Sequence, residues 1–300
     1  GVARGYFEEV GITFADGDYG IKADLIGSVT PLLNGQIDVG SGYPPELMAK
    51  LENVDNVVAF QIQDVFYGYR ILAPKGKYTT LAQAMDAGQS YEEATATVLA
   101  QLDGQDVILR DVIVPTFYHL ITSTAGTDMG AWNITYLSNP DMLRAAQAGQ
   151  ADFVSPSGAV ELVRLLNDGW ESLISLPEVI ENSPSEDTIS LRATFSGYLT
   201  TTEFAEENWD TLLRYASVVY RLVDDLQADP VGVAGDYVDL LNSYTGSELS
   251  AEQLAATFDG LYSVRDFEDA AELYEDEDAF FHFETVMGAQ IDALAEQGVR

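Results

Sequence analysis

Apolar residues along the chain fall into two kinds of stretch. Short runs bounded by glycine, proline or polar clusters read as strands: Val57 to Ile62, Gly68 to Ala73, Asp106 to Leu109, Ile134 to Leu137 and Leu191 to Leu199. Between them lie stretches whose apolar residues recur every three to four positions, including Thr80 to Met85, Tyr91 to Leu102 and Thr116 to Thr124, and these read as helices. Alternation of this kind predicts α/β layers with mostly parallel sheets. From Thr202 onward the pattern is almost wholly helical. Phe204, Leu212, Leu213, Tyr215, Val218, Val219, Leu222 and Val223 form one apolar face, which predicts a helical cap and not a third domain.

The pattern also repeats. Gly35-Gln36-Ile37-Asp38 is echoed by Gly149-Gln150-Ala151-Asp152, and each is followed by a turn of small residues and proline, Gly40-Ser41-Gly42-Tyr43-Pro44 and Ser155-Pro156-Ser157-Gly158. A periodic apolar segment follows in both places, Glu46 to Leu51 and Ala159 to Leu166. Physically this reads as a helix ending at a C′ glycine, a short buried strand, a tight loop, and a new helix whose first amides lack intrahelical partners. Loops at the carboxyl ends of parallel strands, feeding helix N-termini, are where open α/β sheets bind ligands. Two such units predict two facing sites. The four-residue core alone is equally readable as a common turn met twice by chance; the matching loop and helix carry the repeat.

Composition narrows the field. A chain of 300 residues that is 47% hydrophobic buries a full core, as one large domain or two ordinary ones. With 14 Lys+Arg against 49 Asp+Glu, the formal net charge of -35 repels nucleic acid and anionic membrane surfaces, which excludes a nucleic-acid partner. Acidity on this scale speaks of hydration and solubility, and a high-salt habitat is one reading of it. Cysteine is absent, which removes disulfides, thiolate metal sites and cysteine nucleophiles. No apolar stretch approaches the roughly 20 residues of a membrane span, and Gly1 to Glu9 shows no signal-peptide pattern.

Candidate catalytic chemistry is thin. Of the two histidines, His119 falls in the first turns of a predicted helix and His282 in an aromatic-rich helix after an acidic run; neither has a serine or carboxylate partner at a diagnostic spacing. Glu272 to Asp278 lacks the alternating ligands and central glycine of a calcium loop and reads as a solvated acidic face. Gly40-Ser41-Gly42 lacks the Lys-Ser/Thr of a P-loop and reads as a tight ligand-facing turn.

Four segments, in order, resemble the family of ABC-transporter solute-binding proteins that handles thiamine-pyrimidine precursors, riboflavin, alkanesulfonates, taurine and nitrate. They are Gly5-Tyr6-Phe7-Glu8-Glu9-Val10-Gly11-Ile12, Leu33-Asn34-Gly35-Gln36-Ile37-Asp38-Val39-Gly40, Ala148-Gly149-Gln150-Ala151-Asp152 and Phe204-Ala205-Glu206-Glu207-Asn208. The resemblance implies a two-lobed periplasmic-binding-protein fold of type II, with ligand in the cleft, two crossing strands and a C-terminal helical cap. By that analogy the first crossing lies near Tyr69 to Pro74 and the return near Thr194 to Thr200. Lobe 1 would hold residues 1–73 and 195–300, and lobe 2 residues 74–194. Two departures stand out. Family members have a strand before the Gly-Tyr-Phe helix, whereas this chain begins inside that helix. Where many carry a Gly/Ser/Thr-rich anion loop in lobe 2, this chain has Arg110-Asp111-Val112-Ile113-Val114-Pro115-Thr116. A fungal pyrimidine-synthesising relative shares the opening motif but relies on a cysteine-rich segment, which is lacking here.

On this analogy the ligand-binding residues are Ser41, Gly42 and Tyr43 in the first loop; Phe66, Tyr67 and Tyr69 beside the first crossing; Arg110, Asp111, Val112, Phe117 and Tyr118 in lobe 2; Ser155, Pro156, Ser157 and Gly158 in the second loop; and Tyr198 in the return. Such pockets are mostly apolar with a few placed polar groups, and rings suit a planar ligand. The only cations near these loops are Arg70, Arg110 and Arg192. The expectation is therefore a non-enzymatic binder of a flat aromatic or heterocyclic nutrient of riboflavin or thiamine-pyrimidine type. A sulfonate or similar anion, and an enzyme on the same scaffold, are the alternatives. Arg110 and Asp111 either pin the heterocycle's polar edge or pair with each other. No cofactor or metal is expected. The partners are the small molecule and a membrane permease, and the chain is expected to be a monomer. Its location would be periplasmic or extracellular, with lipid anchoring through a segment absent from this chain.

Overall fold

A computed structural model describes residues 1–15, 29–42, 56–66, 68–110, 118, 121–122, 126–183, 189–190, 192–245, 247–256, 258 and 261–296. The predicted segment Glu46 to Leu51 and most of Thr116 to Thr124 lie outside the described residues. Nine strands form among those described: β1 (Gly40–Gly42), β2 (Val57–Phe66), β3 (Arg70–Pro74), β4 (Asp106–Leu109), β5 (Asn133–Tyr136), β6 (Phe153–Ser155), β7 (Trp170–Ser175), β8 (Thr194–Thr201) and β9 (Tyr262–Val264). The chain divides into one unit of Gly1–Phe66 with Ala193–Arg300 and a second of Tyr67–Arg192.

The sheet of the first unit has the order β1-β8-β2-β9 and every described pairing in it is antiparallel. This corrects the expectation of mostly parallel sheets. The chain leaves the unit along β2 and re-enters along β8, and two such passes lying side by side must run in opposite directions. β2 and β8 pair from Val57↔Thr201 to Phe66↔Thr194, with register shifts between Ala59 and Gln61 and between Ile62 and Asp64. Gly197 is required by this approach: a Cβ there would overlap the Gln61 carbonyl oxygen and lie 3.0 Å from Ile62 Cα.

Helix Thr202–Ala228 follows β8 directly, and its first turn is capped by the Thr201 side chain accepting from the Phe204 amide. Leu212, Val218, Val219 and Val223 of the predicted apolar face are buried. Leu213 is not, being 54% exposed. The tail beyond it is also not wholly helical, because Tyr262–Val264 adds as edge strand β9 to β2. Helices Phe267–Glu275 and Phe283–Glu296 complete the described part of the unit.

The second unit has the sheet order β5-β4-β6-β3-β7. β4 is parallel to β5 and β6, whereas β3 runs antiparallel to β6 and β7. Val107, Leu109, Phe153, Ile71, Leu72, Leu173 and Ile174 are buried almost completely, as strands covered on both faces require. Capping boxes at Thr80/Gln83, Ser90/Glu93 and Ser175/Glu178 start three of its helices.

Candidate functional site

The repeated motif is the same turn built twice. After helix Val29–Leu33, the amide of Gly35 donates to the Leu32 carbonyl (3.1 Å) and that of Gln36 to Pro31 (2.8 Å). After helix Asn139–Gln147, Gly149 donates to Ala146 (3.0 Å) and Gln150 to Ala145 (3.0 Å). Both glycines are left-handed, at φ 65° and 67°. Each is a Schellman stop, which an L side chain at the glycine would strain. The following aspartates are used differently. Asp152 is held by Lys77 and by the Tyr78 hydroxyl (2.8 Å), whereas the Asp38 main-chain oxygen accepts from Thr200 Oγ1 (2.8 Å). The first copy seats on β8 through Val29, Leu32 and Leu199.

In the second unit the motif delivers the chain to one sheet edge. Leu109 of β4 stands level with Tyr136 of β5 and Ser155 of β6, so Arg110, Leu137–Asn139 and Pro156–Gly158 leave the carboxyl ends of three parallel strands together. Asn139 fixes the last of these: its Oδ1 accepts from the Ser157 amide (3.1 Å) and its Nδ2 donates to Ser157 Oγ (3.4 Å). Helix Ala159–Asn167 begins there, capped by Gly158 with no side-chain bond. Glu161, at its third position, is only 7% exposed. A Cβ added at Gly158 would overlap Glu161 Oε2 and come within 2.7 Å of Asn139 Nδ2, so the carboxylate lies against the helix start. Burial pushes the Glu161 carboxyl up; its own helix amide and the Arg110 and Arg164 guanidinium groups oppose that push.

Beneath this edge, Tyr118 and Ser155 are fully buried and their hydroxyls bond each other. Burial holds the Tyr118 hydroxyl well above the usual tyrosine range. Both hydroxyls are thus engaged inside the second unit. Tyr69 is also buried, its carbonyl accepting from the Leu176 amide (2.7 Å). Arg70 follows in β3, its Nε donating to the Gly68 carbonyl (3.0 Å); burial lowers its pKa and Glu178 opposes the shift.

In the first unit Gly40-Ser41-Gly42 is not the tight turn expected from its glycines but strand β1, where pairing with β8 sets Ser41 and Gly42 opposite Tyr198 and Gly197. The Tyr198 ring packs T-shaped on Tyr215 at 5.0 Å and stacks near Phe60 at 6.2 Å, and burial raises its hydroxyl well above the ordinary value. Phe66 packs on Tyr262 at 5.0 Å. Of the other predicted site residues, Tyr43, Tyr67, Asp111, Val112 and Phe117 lie outside the described residues, as does His119. His282 is buried with Nδ1 2.8 Å from Thr285 Oγ1. Among the described residues no group of three or more His, Cys, Asp or Glu side chains is placed to hold a metal, and no helix is long and apolar enough to cross a membrane. Sequence reasoning missed Asn139 and Glu161. Ser138-Asn139-Pro140 was a readable helix start, and an acid three residues after Gly158 has capping-box spacing.

No protein-family model matches the chain, and no curated protein matches it. Solved structures do. The periplasmic aliphatic sulphonate-binding protein SsuA from Escherichia coli is similar over 90% of this chain and 78% of its own, with 18% identity and a TM-score of 0.57. A Candida albicans protein described as having the generic periplasmic-binding-protein fold is similar over 99% of this chain and 84% of its own, with 12% identity and a TM-score of 0.55. The desulfurization enzyme DSZB covers 98% of this chain and 87% of its own, with 11% identity and a TM-score of 0.51. Likeness at these identities establishes the fold: this is an α/β chain of the periplasmic-binding-protein architecture. It does not carry over what those proteins bind or do.

Proposed function

We propose that the chain is a non-catalytic solute-binding protein of an ABC importer, working outside the cytoplasmic membrane and handing a small molecule to a permease. The observation that carries this reading is the twin turn. Each unit contains a Schellman stop followed within a few residues by a short strand, within a fold shared with a periplasmic binding protein. On the two-lobed scheme read from the sequence, solute binding favours a closed form over an open one. The ligand is a flat, neutral or weakly charged heterocycle. Its polar edge meets the Arg110 and Ser157–Gly158 region.

Calorimetric titration with riboflavin, hydroxymethylpyrimidine, taurine and nitrate tests the reading, with small-angle scattering to follow closure. Saturable binding of a heterocycle with a fall in radius of gyration is the expected result. Binding of none of the four removes support for the ligand class, and turnover of a bound compound favours an enzyme on the same scaffold. A second reading, a sulfonate receptor, draws on the similarity to the Escherichia coli sulphonate-binding protein and on Arg110 at the β4 end. It predicts affinity that falls with salt and collapses in Arg110→Ala.

A further inference from the structure

The amides that open a helix form a ready anion site when nothing in the chain answers them. At the carboxyl edge of β4, β5 and β6 something does. Gly158 brings no side chain to the start of helix Ala159–Asn167, and the space a Cβ would need is taken by Glu161 Oε2. Glu161 is 7% exposed; burial pushes its carboxyl up, and its own helix amide, Arg110 and Arg164 oppose that push. Asn139 holds the preceding loop in place through Ser157. A second anion at this point would sit beside a buried carboxylate that already bonds the Glu161 amide.

We propose that Glu161 is the specificity-determining residue of this edge: it fills the anion position with the chain's own carboxylate, excludes sulfonates and carboxylates, and leaves the edge to a solute group that donates hydrogen bonds. This rests on the solute-binding reading and names the ligand chemistry at its second-unit edge. Glycine at position 158 is part of the same device, because any larger residue would displace the carboxylate.

The test compares the unfolding temperature in equal concentrations of sodium methanesulfonate and methylammonium chloride at one ionic strength, for the wild type, Glu161→Gln and Glu161→Ala. The general pull of an acidic protein on cations is nearly the same in all three and cancels between them. The wild type is expected to gain more from methylammonium, and both variants to shift toward methanesulfonate, with its apparent affinity rising about tenfold or more, the scale of one charge-assisted hydrogen-bond set. The alanine variant guards against a glutamine that imitates the carboxylate. A wild type that prefers methanesulfonate, or variants that keep the wild-type preference, overturns the proposal. Failure of the broader reading shows separately, as binding of no compound in the four-member calorimetric panel.

Discussion

Replacing Asp64 by asparagine removes a charge from the interior of the first unit without changing the side chain's shape. Asp64 lies in β2 and is 7% exposed. The register skips Gln63, so Asp64 faces Ser196 while Gln61 faces Tyr198, and the two residues share a sheet face that regular alternation would deny them. Ser196 hydrogen-bonds the carboxylate, but its Oδ1 has no partner among the described residues, and burial pushes its pKa up to about 6 from 3.8. The sign follows from linkage. A raised pKa means the folded state holds the proton more tightly than the unfolded chain does. The stabilisation is therefore complete below about pH 4 and is lost as pH rises through about 6. A gap of roughly 2 units at 1.36 kcal/mol each makes the ionised side chain a liability of about 3 kcal/mol at pH 8. Urea unfolding of wild type and Asp64→Asn at pH 4, 5, 6, 7 and 8 isolates this group, because all other carboxylates cancel in the difference. Asp64→Asn is expected to be more stable by up to about 3 kcal/mol at pH 8, with the gain fading toward pH 4. A difference that is flat with pH, or a less stable variant at pH 8, would refute the assignment.

Other perturbations read separate parts of the fold. Gly197→Ala drives a Cβ into the Gln61 carbonyl between two paired strands, where neither backbone yields easily; thermal unfolding should show a loss of about 3 kcal/mol or more. Gly35→Ala and Gly149→Ala meet no neighbouring atoms but force left-handed backbone, so each should cost about 1 kcal/mol, and equal costs in urea titrations are what twin turns require. Gly158→Ala meets only the ends of the Glu161 and Asn139 side chains, so its stability should change by less than about 1 kcal/mol while solute affinity, measured by calorimetry, changes clearly.

What could be read from the sequence depended on how locally each feature is determined. The β4 strand is marked by its own apolar run between breakers and was found to the residue at Asp106–Leu109. The Schellman glycines were legible because left-handed backbone is a property of one position and its two neighbours. The direction of β1, β2, β8 and β9 was not legible, since pairing is decided between segments more than a hundred residues apart, and an apolar run does not encode which neighbour it meets. The burial of Asp64 was not legible for the same reason: it comes from the pairing of β2 with β8 and β9, which the local sequence does not encode. Tyr118 and Ser155 carried the right chemistry at the right place in the chain, yet the burial that makes them pair with each other comes from the packed unit and not from either residue's neighbours.

Net charge illustrates the same division between global and local. A chain at -35 would be expected to repel an anionic solute everywhere. At physiological ionic strength, however, exposed charges are screened beyond about 8 Å, so most of the 49 acidic residues have little influence on what binds at one sheet edge. A carboxylate buried at that edge is screened far less. The ligand's charge is thus governed by whichever groups stand within a few ångströms of it, and on the second unit's edge those are Glu161, Arg110 and Arg164. Composition sets solubility and the long-range field. Whether the two guanidinium groups at that edge are answered from within the chain turns on one residue, Glu161, whose carboxylate lies against Gly158 at the helix start.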